Sequence, residues 1–105
     1  MQQISAEELH RRLLDGWKPV ILDVREDWET EICGLENSLH ISLSGLPQRL
    51  AELNQDDEFV VLCHHGMRSM QAVSFMEHHG FNRIVNLDGG IHAWADSIDP
   101  TMAKY

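Results

Sequence analysis

The apolar residues of the chain fall into short runs, and longer stretches with helical spacing lie between them. Four of these runs are apolar on both alternating faces and predict buried strands. They cover residues 19–24, 39–41, 57–63 and 83–87. Buried strands that alternate with helices are typical of the α/β class, in which a mostly parallel sheet carries helices on both faces.

Capping residues mark the first predicted helix. Ser5 suits the N-cap, Glu8 is its capping-box partner, and Ile4 with Leu9 can form the hydrophobic staple. Gly16 is the residue type expected just past the end of that helix. Further helices are predicted over residues 27–31, 44–53, 69–79 and from residue 90, with Gly80 after the fourth helix and Asp88 as the cap of the last.

Composition and charge narrow the function. The 105 residues are 43% hydrophobic, which suits a single domain over residues 1–105. The formal net charge of −9 argues against nucleic acid or an anionic membrane as partner. The chain has no apolar run of about 18 residues and no signal-peptide pattern at its start, so a cytoplasmic protein is expected.

The segment CHHGMRS, residues 63–69, concentrates reactive and cationic side chains after a predicted strand. Ligands of parallel sheets bind beyond the carboxyl ends of the strands, and the following helix offers unpaired N–H groups. Gly66 lets the backbone curl into an anion-binding nest, Arg68 adds a positive fork, and Ser69 could cap the helix. Such surroundings favour the nucleophilic thiolate form of Cys63.

Two chemistries use a thiolate in an anion cradle: phosphoryl transfer through a cysteinyl phosphate, and sulfur transfer through a cysteine persulfide. Cysteine-based phosphatases resemble the pattern C-x-x-x-x-x-R. Here only four residues, His64 to Met67, separate Cys63 from Arg68. The shorter loop leaves less room for a phosphate and favours one additional sulfur atom.

The motif Cys63-x-x-Gly66-x-Arg68-Ser69 is similar to the active-site loop of rhodanese-domain sulfurtransferases. Four further segments resemble that family in the same order, so the resemblance covers about residues 3–96 and leaves 97–105 as a short tail. They are residues 22–26 (LDVRE), 28–34 (WETEICG), 38–41 (SLHI) and 86–94 (NLDGGIHAW). The sequence departs from the family pattern at three positions: Leu35 replaces the usual histidine, Asn37 a common glycine and Ser42 a common proline. These departures affect the turn before the third strand and not the loop.

The resemblance implies a rhodanese-like, mostly parallel sheet of five strands and a catalytic Cys63 that carries sulfur as a persulfide. The donor would be thiosulfate or a persulfide, and the acceptor a thiol, cyanide or a protein. No cofactor is expected, and a monomer is favoured. The loop that would bind the substrate or the intermediate comprises His64, His65, Gly66, Met67, Arg68 and Ser69.

Residues outside this loop are expected to have mainly structural roles. Asp23, Arg25 and Glu26 are expected to support the site, with Arg25 and Glu26 paired to each other or to nearby loops. Cys33 is interpreted as an ordinary thiol, since two cysteines thirty residues apart form no disulfide framework. Trp94 is expected in the core. His64 and His65 could tune substrate preference or simply face solvent.

A metal site is not predicted. Seven histidines are present, but His64-His65 and His78-His79 are adjacent pairs whose side chains should diverge, and neither pair has zinc-site spacing. Two alternatives to sulfur transfer stay open: a cysteine-based phosphatase, and a non-catalytic rhodanese-like binding module. Activity on an aryl phosphate would identify the first, and an inert Cys63 would identify the second.

Overall fold

The computed structural model describes residues 1–105 and contains one five-stranded sheet in which every neighbouring pair of strands is parallel. The strands lie in the order β1-β5-β4-β2-β3. Their bounds are β1 Gln3–Ile4, β2 Val20–Asp23, β3 Leu39–His40, β4 Phe59–Leu62 and β5 Ile84–Leu87. The predicted α/β class and five-stranded sheet are confirmed, although β1 is too short to leave a hydrophobic run of its own.

Five α-helices connect and cover the strands. They are α1 Ala6–Leu14, α2 Asp27–Ile32, α3 Leu46–Arg49, α4 Met67–His78 and α5 Gly90–Ser97. The continuous helix predicted over residues 44–53 is wrong: 3₁₀ turns at Leu43–Gly45 and Leu50–Glu52 flank α3, and the backbone leaves helical geometry at Arg49. None of the helices is long and apolar enough to cross a membrane.

The central strand β4 separates two hydrophobic cores. Phe59 and Val61 pack on one face with buried residues of α3 and α4. Val60 and Leu62 pack on the other face with α1 and α5, where Trp94 is buried as expected. Because a strand alternates its side chains, a run that is apolar throughout needs both faces covered, and the helices provide that cover.

The first helix follows its capping signals in part. Ser5 Oγ accepts the N–H of Glu8 at 3.1 Å, as predicted. The Glu8 carboxylate does not return to the cap and instead binds Arg11 and Arg12. Gly16 follows the helix in the left-handed conformation with φ of +100°, which suits glycine.

The segments on either side of β3 accommodate two departures from the family pattern, since Asn37 precedes the strand and Ser42 follows it. Asn37 is the only non-glycine residue with positive φ, at 61°. Asparagine tolerates this conformation better than most residues, so it serves where the family commonly has glycine. Ser42 accepts the N–H of Gly45 at 3.3 Å and begins the next 3₁₀ turn.

The start of α5 differs from the prediction. Asp88 does not cap the helix; Gly89 occupies the N-cap with φ of +76°, and no side chain bonds there. The first N–H groups of α5 reach the neighbouring loop instead, since Ile91 donates to the carbonyl of Cys63 at 2.9 Å and His92 to that of His64 at 3.1 Å. These two hydrogen bonds fix α5 against the segment after β4.

Candidate active site

Cys63 follows β4 and is almost fully buried, with 1% of its surface exposed. Its Sγ accepts the N–H of Gly66 at 3.1 Å and that of Ser69 at 3.3 Å. Gly66 has φ of +108° and is the N-cap of α4, so the backbone reverses there and aims its amides at the sulfur. The prediction that Ser69 caps the helix is wrong, because α4 begins two residues earlier, at Met67.

The loop carbonyls face away from this nest of amides. Those of Cys63 and His64 accept hydrogen bonds from the start of α5. Since the C=O and N–H of one peptide unit point in opposite directions, the N–H groups of His64 and His65 are directed away from α5. The amides of residues 64, 65, 67 and 68 donate to no acceptor within the protein. They are therefore available to an anion.

A buried hydroxyl completes the surroundings of the sulfur. Ser69 Oγ lies 3.4 Å from Cys63 Sγ, donates to the carbonyl of Gly66 at 3.1 Å, and also contacts Asn86 Oδ1 on β5. A hydroxyl has one proton and two lone pairs. Ser69 can therefore accept the proton of the thiol or turn its own proton toward the thiolate. Asn86 received no role in the sequence analysis, although it belongs to a matching motif.

Arg68 forms an ion pair across 39 positions of the chain with Glu29 of α2. Both terminal guanidinium nitrogens donate to the carboxylate, one of them at 2.7 Å. Glu29 is 2% exposed. The hydrogen bonds from Arg68 outweigh the effect of burial and lower the pKa of Glu29 to about 2. The positive charge of Arg68 is thus balanced by Glu29, so the free amides are the main donors left for an anion.

Arg25 is fully buried and all of its nitrogens find acceptors. It binds the Asp23 carboxylate through Nε at 3.0 Å and Nη2 at 2.7 Å, and it also donates to the carbonyls of Glu29 and Cys33. Burial opposes its charge, but the hydrogen bond to Asp23 raises the pKa of Arg25 above its ordinary value. Arg25 and Glu26 were expected to pair with each other or with nearby loops. Arg25 bonds nearby segments, whereas Glu26 begins α2 in a capping box with Glu29.

Tyr105 joins these two ion pairs. Its hydroxyl accepts a hydrogen bond from Arg25 Nη1 at 3.0 Å and donates to Glu29 Oε2 at 2.6 Å. Burial and the adjacent Glu29 raise the pKa of Tyr105 to about 12, so the hydroxyl keeps its proton. The result is one hydrogen-bonded chain, which we call the support network: Asp23, Arg25, Tyr105, Glu29 and Arg68.

Glu29 and Tyr105 are residues of the site that none of the sequence-based site predictions included. The spacing Glu26-x-x-Glu29 is a capping-box signal that could have drawn attention to Glu29. Tyr105 had no such signal, since it lies in the segment 97–105 beyond the resemblance. Cys33, which is partly buried, lies at 3.8 Å from Arg25 Nη1 and is a free thiol like Cys63.

The two loop histidines do not diverge as expected. Their rings lie 3.9 Å apart between centroids, because the loop curls at this point instead of running extended. The ring of Tyr105 stacks on His64 at 3.9 Å with an angle of 13° between the planes. Burial, and next the neighbouring His65, lower the pKa of His64. This shift favours the neutral imidazole of His64 over the cation that would add positive charge beside Cys63.

Comparison with known proteins gives a consistent result. The family model described as rhodanese-like domain matches residues 5–97. A protein named sulfurtransferase from Allochromatium vinosum is 33% identical over 103 residues, which cover 98% of this chain and 96% of that protein.

Solved structures show the same relationship. The crystal structure of a rhodanese-like domain protein from Staphylococcus aureus superposes with a TM-score of 0.86 at 34% identity, covering 93% of this chain and 95% of that one. A rhodanese-related protein from Thermoplasma volcanium gives a TM-score of 0.85 at 33% identity, with coverage of 93% and 94%.

Proposed function

This chain belongs to the rhodanese-like domain family, whose relatives include proteins named sulfurtransferase, and from that premise we propose that it transfers sulfane sulfur through a persulfide on Cys63. The donor is thiosulfate or a small persulfide. The acceptor is a thiol, cyanide or a protein thiol. The observation that carries this proposal is the pair of amides bonded to Cys63 Sγ, together with four amides of the same segment that donate to no acceptor within the protein.

The first half of the reaction loads the cysteine. The Cys63 thiolate attacks the outer sulfur of thiosulfate, and a new sulfur–sulfur bond forms to Cys63. The old sulfur–sulfur bond breaks, and its electron pair leaves on sulfite. The outer sulfur keeps the negative charge that it carried in thiosulfate, and sulfite leaves as a dianion because it takes the electron pair of the broken bond. The step therefore balances without an oxidant, a reductant or a proton.

The second half returns the enzyme to its starting state. An acceptor thiolate or cyanide attacks the terminal sulfur, and the bond to Cys63 breaks with its electrons remaining on the cysteine. The products are an acceptor persulfide or thiocyanate and the regenerated Cys63 thiolate. This is a ping-pong scheme, in which sulfite leaves before the acceptor reacts.

The loop amides have the chemistry to hold each charged species. Backbone N–H groups aimed at a developing anion stabilise it without reorganising during the reaction. The amides of Gly66 and Ser69 serve the thiolate, and those of residues 64, 65, 67 and 68 are suited to the added sulfur and to the sulfite portion of the donor. We assign donor binding to residues 64–69 on this basis.

In this proposal the residues of the support network position the loop and do not touch the substrate. Arg68 lies in the first turn of α4, directly after the loop, and its two-point bond to Glu29 fixes this end of the loop against α2. Asp23 and Arg25 extend the same network to the end of β2. Misaligned amides stabilise a bound anion less well. A rigid support therefore increases the rate although it does not touch the substrate.

Intact mass spectrometry provides the test. After treatment with thiosulfate, the protein should gain the mass of one sulfur atom, the addition should map to Cys63, and cyanide should remove it. A low-molecular-weight persulfide is tested in parallel as donor. If neither donor adds a cyanide-sensitive sulfur, the proposal is wrong. Turnover of an aryl phosphate in the same samples would instead support phosphatase chemistry.

A further inference from the structure

We propose that His64, His65 and His92 form a binding site for a Zn²⁺-type transition-metal ion at the rim of the loop. Each histidine can offer one ring nitrogen, and these three nitrogens lie within 4.8 Å of one another. The ring centroids of His65 and His92 are 5.0 Å apart, and those of His64 and His92 are 6.0 Å apart. The site is separate from the sulfur of Cys63, which faces the amides of the loop.

The fold holds the three histidines on two tied segments. His64 and His65 belong to the loop after β4, whereas His92 lies in the first turn of α5. The N–H of His92 donates to the carbonyl of His64 at 3.1 Å, so the backbones that carry the imidazoles are directly bonded. The grouping therefore does not depend on two flexible surface side chains meeting by chance.

His92 has a free nitrogen that needs explanation. Its Nδ1 is buried and has no hydrogen-bond partner. Its Nε2 lies 3.3 Å from Asp96 Oδ2. Buried polar atoms in native proteins are nearly always paired. A histidine that binds metal through one nitrogen and contacts a carboxylate through the other is a recurring arrangement at metal sites, and it accounts for both nitrogens of His92.

The donor set determines the class of ion. Imidazole suits zinc, copper and nickel, whereas magnesium and calcium prefer oxygen. Zn–N bonds of about 2.0–2.1 Å place nitrogens roughly 3.4 Å apart in a tetrahedral site. The three imidazoles must therefore move closer together when the ion binds, and the exposed His65 has the most freedom to do so. Three protein ligands leave one position for water or another small ligand, and the net charge of −9 favours cations in general.

The test measures Zn²⁺ binding to the full chain by competition with a chromophoric chelator in thiol-free buffer. Wild type should bind one equivalent. His92→Ala and His65→Ala should each weaken binding at least about tenfold, and Asp96→Asn should weaken it by about tenfold, since the carboxylate orients the ligand. His65 is exposed, so its variant reports on the site even if His92→Ala fails to fold.

Two control variants separate this site from other sources of zinc binding. Cys63→Ser should bind Zn²⁺ as wild type does, although it removes the proposed sulfur transfer. His79→Ala should also bind normally, because the His79 ring bonds the carbonyl of Phe75 within its own helix. Co²⁺ in the site should show visible d–d bands without the thiolate charge-transfer band that a cysteine ligand gives.

Three results would overturn the proposal: no saturable binding by wild type, binding that Cys63→Ser abolishes and His92→Ala preserves, or loss of binding in His79→Ala alone. The first would leave the three imidazoles as a cluster of packed rings in which His64 also stacks on Tyr105. The second would assign the metal to the thiol. None of these results bears on the mass gain of Cys63, so the two proposals succeed or fail separately.

Discussion

Gly90 lies so close to Cys63 that a Cβ added to Gly90 would meet the Cys63 carbonyl oxygen at 2.5 Å. The same Cβ would also meet the carbonyl of His64. Only a glycine allows α5 to approach the loop this closely, and the approach lets the N–H groups of Ile91 and His92 bond the two carbonyls. The backbone of Gly90 thereby determines which way the loop amides face.

Gly90→Ala should therefore displace the loop and impair sulfur transfer by about 100-fold, as expected when reacting groups are misplaced by about 1 Å. It should also lower the free energy of unfolding by about 3 kcal/mol, through overpacking and positive-φ strain. Gly16→Ala is the matched control, since Gly16 has φ of +100° but nothing within 4 Å of an added Cβ. Gly16→Ala should lower the free energy of unfolding by about 1–2 kcal/mol and leave sulfur transfer unchanged. Equal activity in the two variants would contradict this role.

Cys63→Ser should reduce thiocyanate formation from thiosulfate and cyanide by about 10⁴-fold or more, because a serine hydroxyl at this site has no thiolate to load. Cys33→Ser is the control and should retain activity, since the polar contact of Cys33 Sγ is with Arg25 Nη1, at 3.8 Å, and not with the loop amides. Steady-state rates of thiocyanate formation, measured on both variants, test whether Cys63 is required. A Cys63→Ser variant with wild-type rates would rule out the persulfide route.

Glu29→Gln should destabilise the fold in a pH-dependent manner. The pKa of Glu29 in the fold is about 2, below its ordinary value of 4.5, so its ionised form stabilises the fold above pH 4.5. That contribution is lost as the pH falls toward 2. The variant should be less stable by about 3 kcal/mol at pH 7, and the difference should shrink progressively below pH 4.5.

Urea unfolding at a series of pH values measures this difference. Glu31→Gln is the control, because Glu31 is exposed on the same helix and has no ion-pair partner. Its effect should be small at every pH. A Glu29→Gln difference that stays constant from pH 7 to pH 3 would show that the ion pair with Arg68 does not stabilise the fold through its charge.

Tyr105→Phe removes the hydroxyl that links Arg25 to Glu29 but keeps the ring that stacks on His64. The variant should lower the free energy of unfolding by about 2 kcal/mol, because Arg25 and Glu29 each lose a buried hydrogen-bond partner. A double-mutant cycle with Glu29→Gln should give a coupling energy of at least about 0.5 kcal/mol. Additive effects would mean that the two residues act independently.

Activity with thiosulfate should rise with moderate salt. The net charge of −9 repels a dianionic donor at long range, and salt screens that repulsion over about 10 Å at about 0.1 M. The measurement is kcat/KM at increasing concentrations of two sodium salts with different anions, which separates screening from competition. A neutral sulfane donor should show little change. A fall in kcat/KM with both salts would contradict the expectation.

Local sequence signals predicted most of the scaffold. The apolar runs located β2 to β5, because burial of a parallel sheet on both faces favours apolar residues at most positions. Gly66 and the following residues predicted a curled loop, because a positive φ and a helix N-terminus are properties of neighbouring residues. The errors at the caps of α4 and α5 arose where glycine backbone geometry replaced a side-chain cap.

The amino-acid sequence alone determined the α/β pattern and placed a thiol in a nest of amides, since both depend on residues near one another in the chain. Tertiary structure alone decided the partners of that loop: Glu29 lies 39 positions from Arg68 and 76 from Tyr105, and His92 comes from another helix. Hydrophobic periodicity reports which face of a segment is buried. It carries no information on which polar side chains meet when the ends of parallel strands come together.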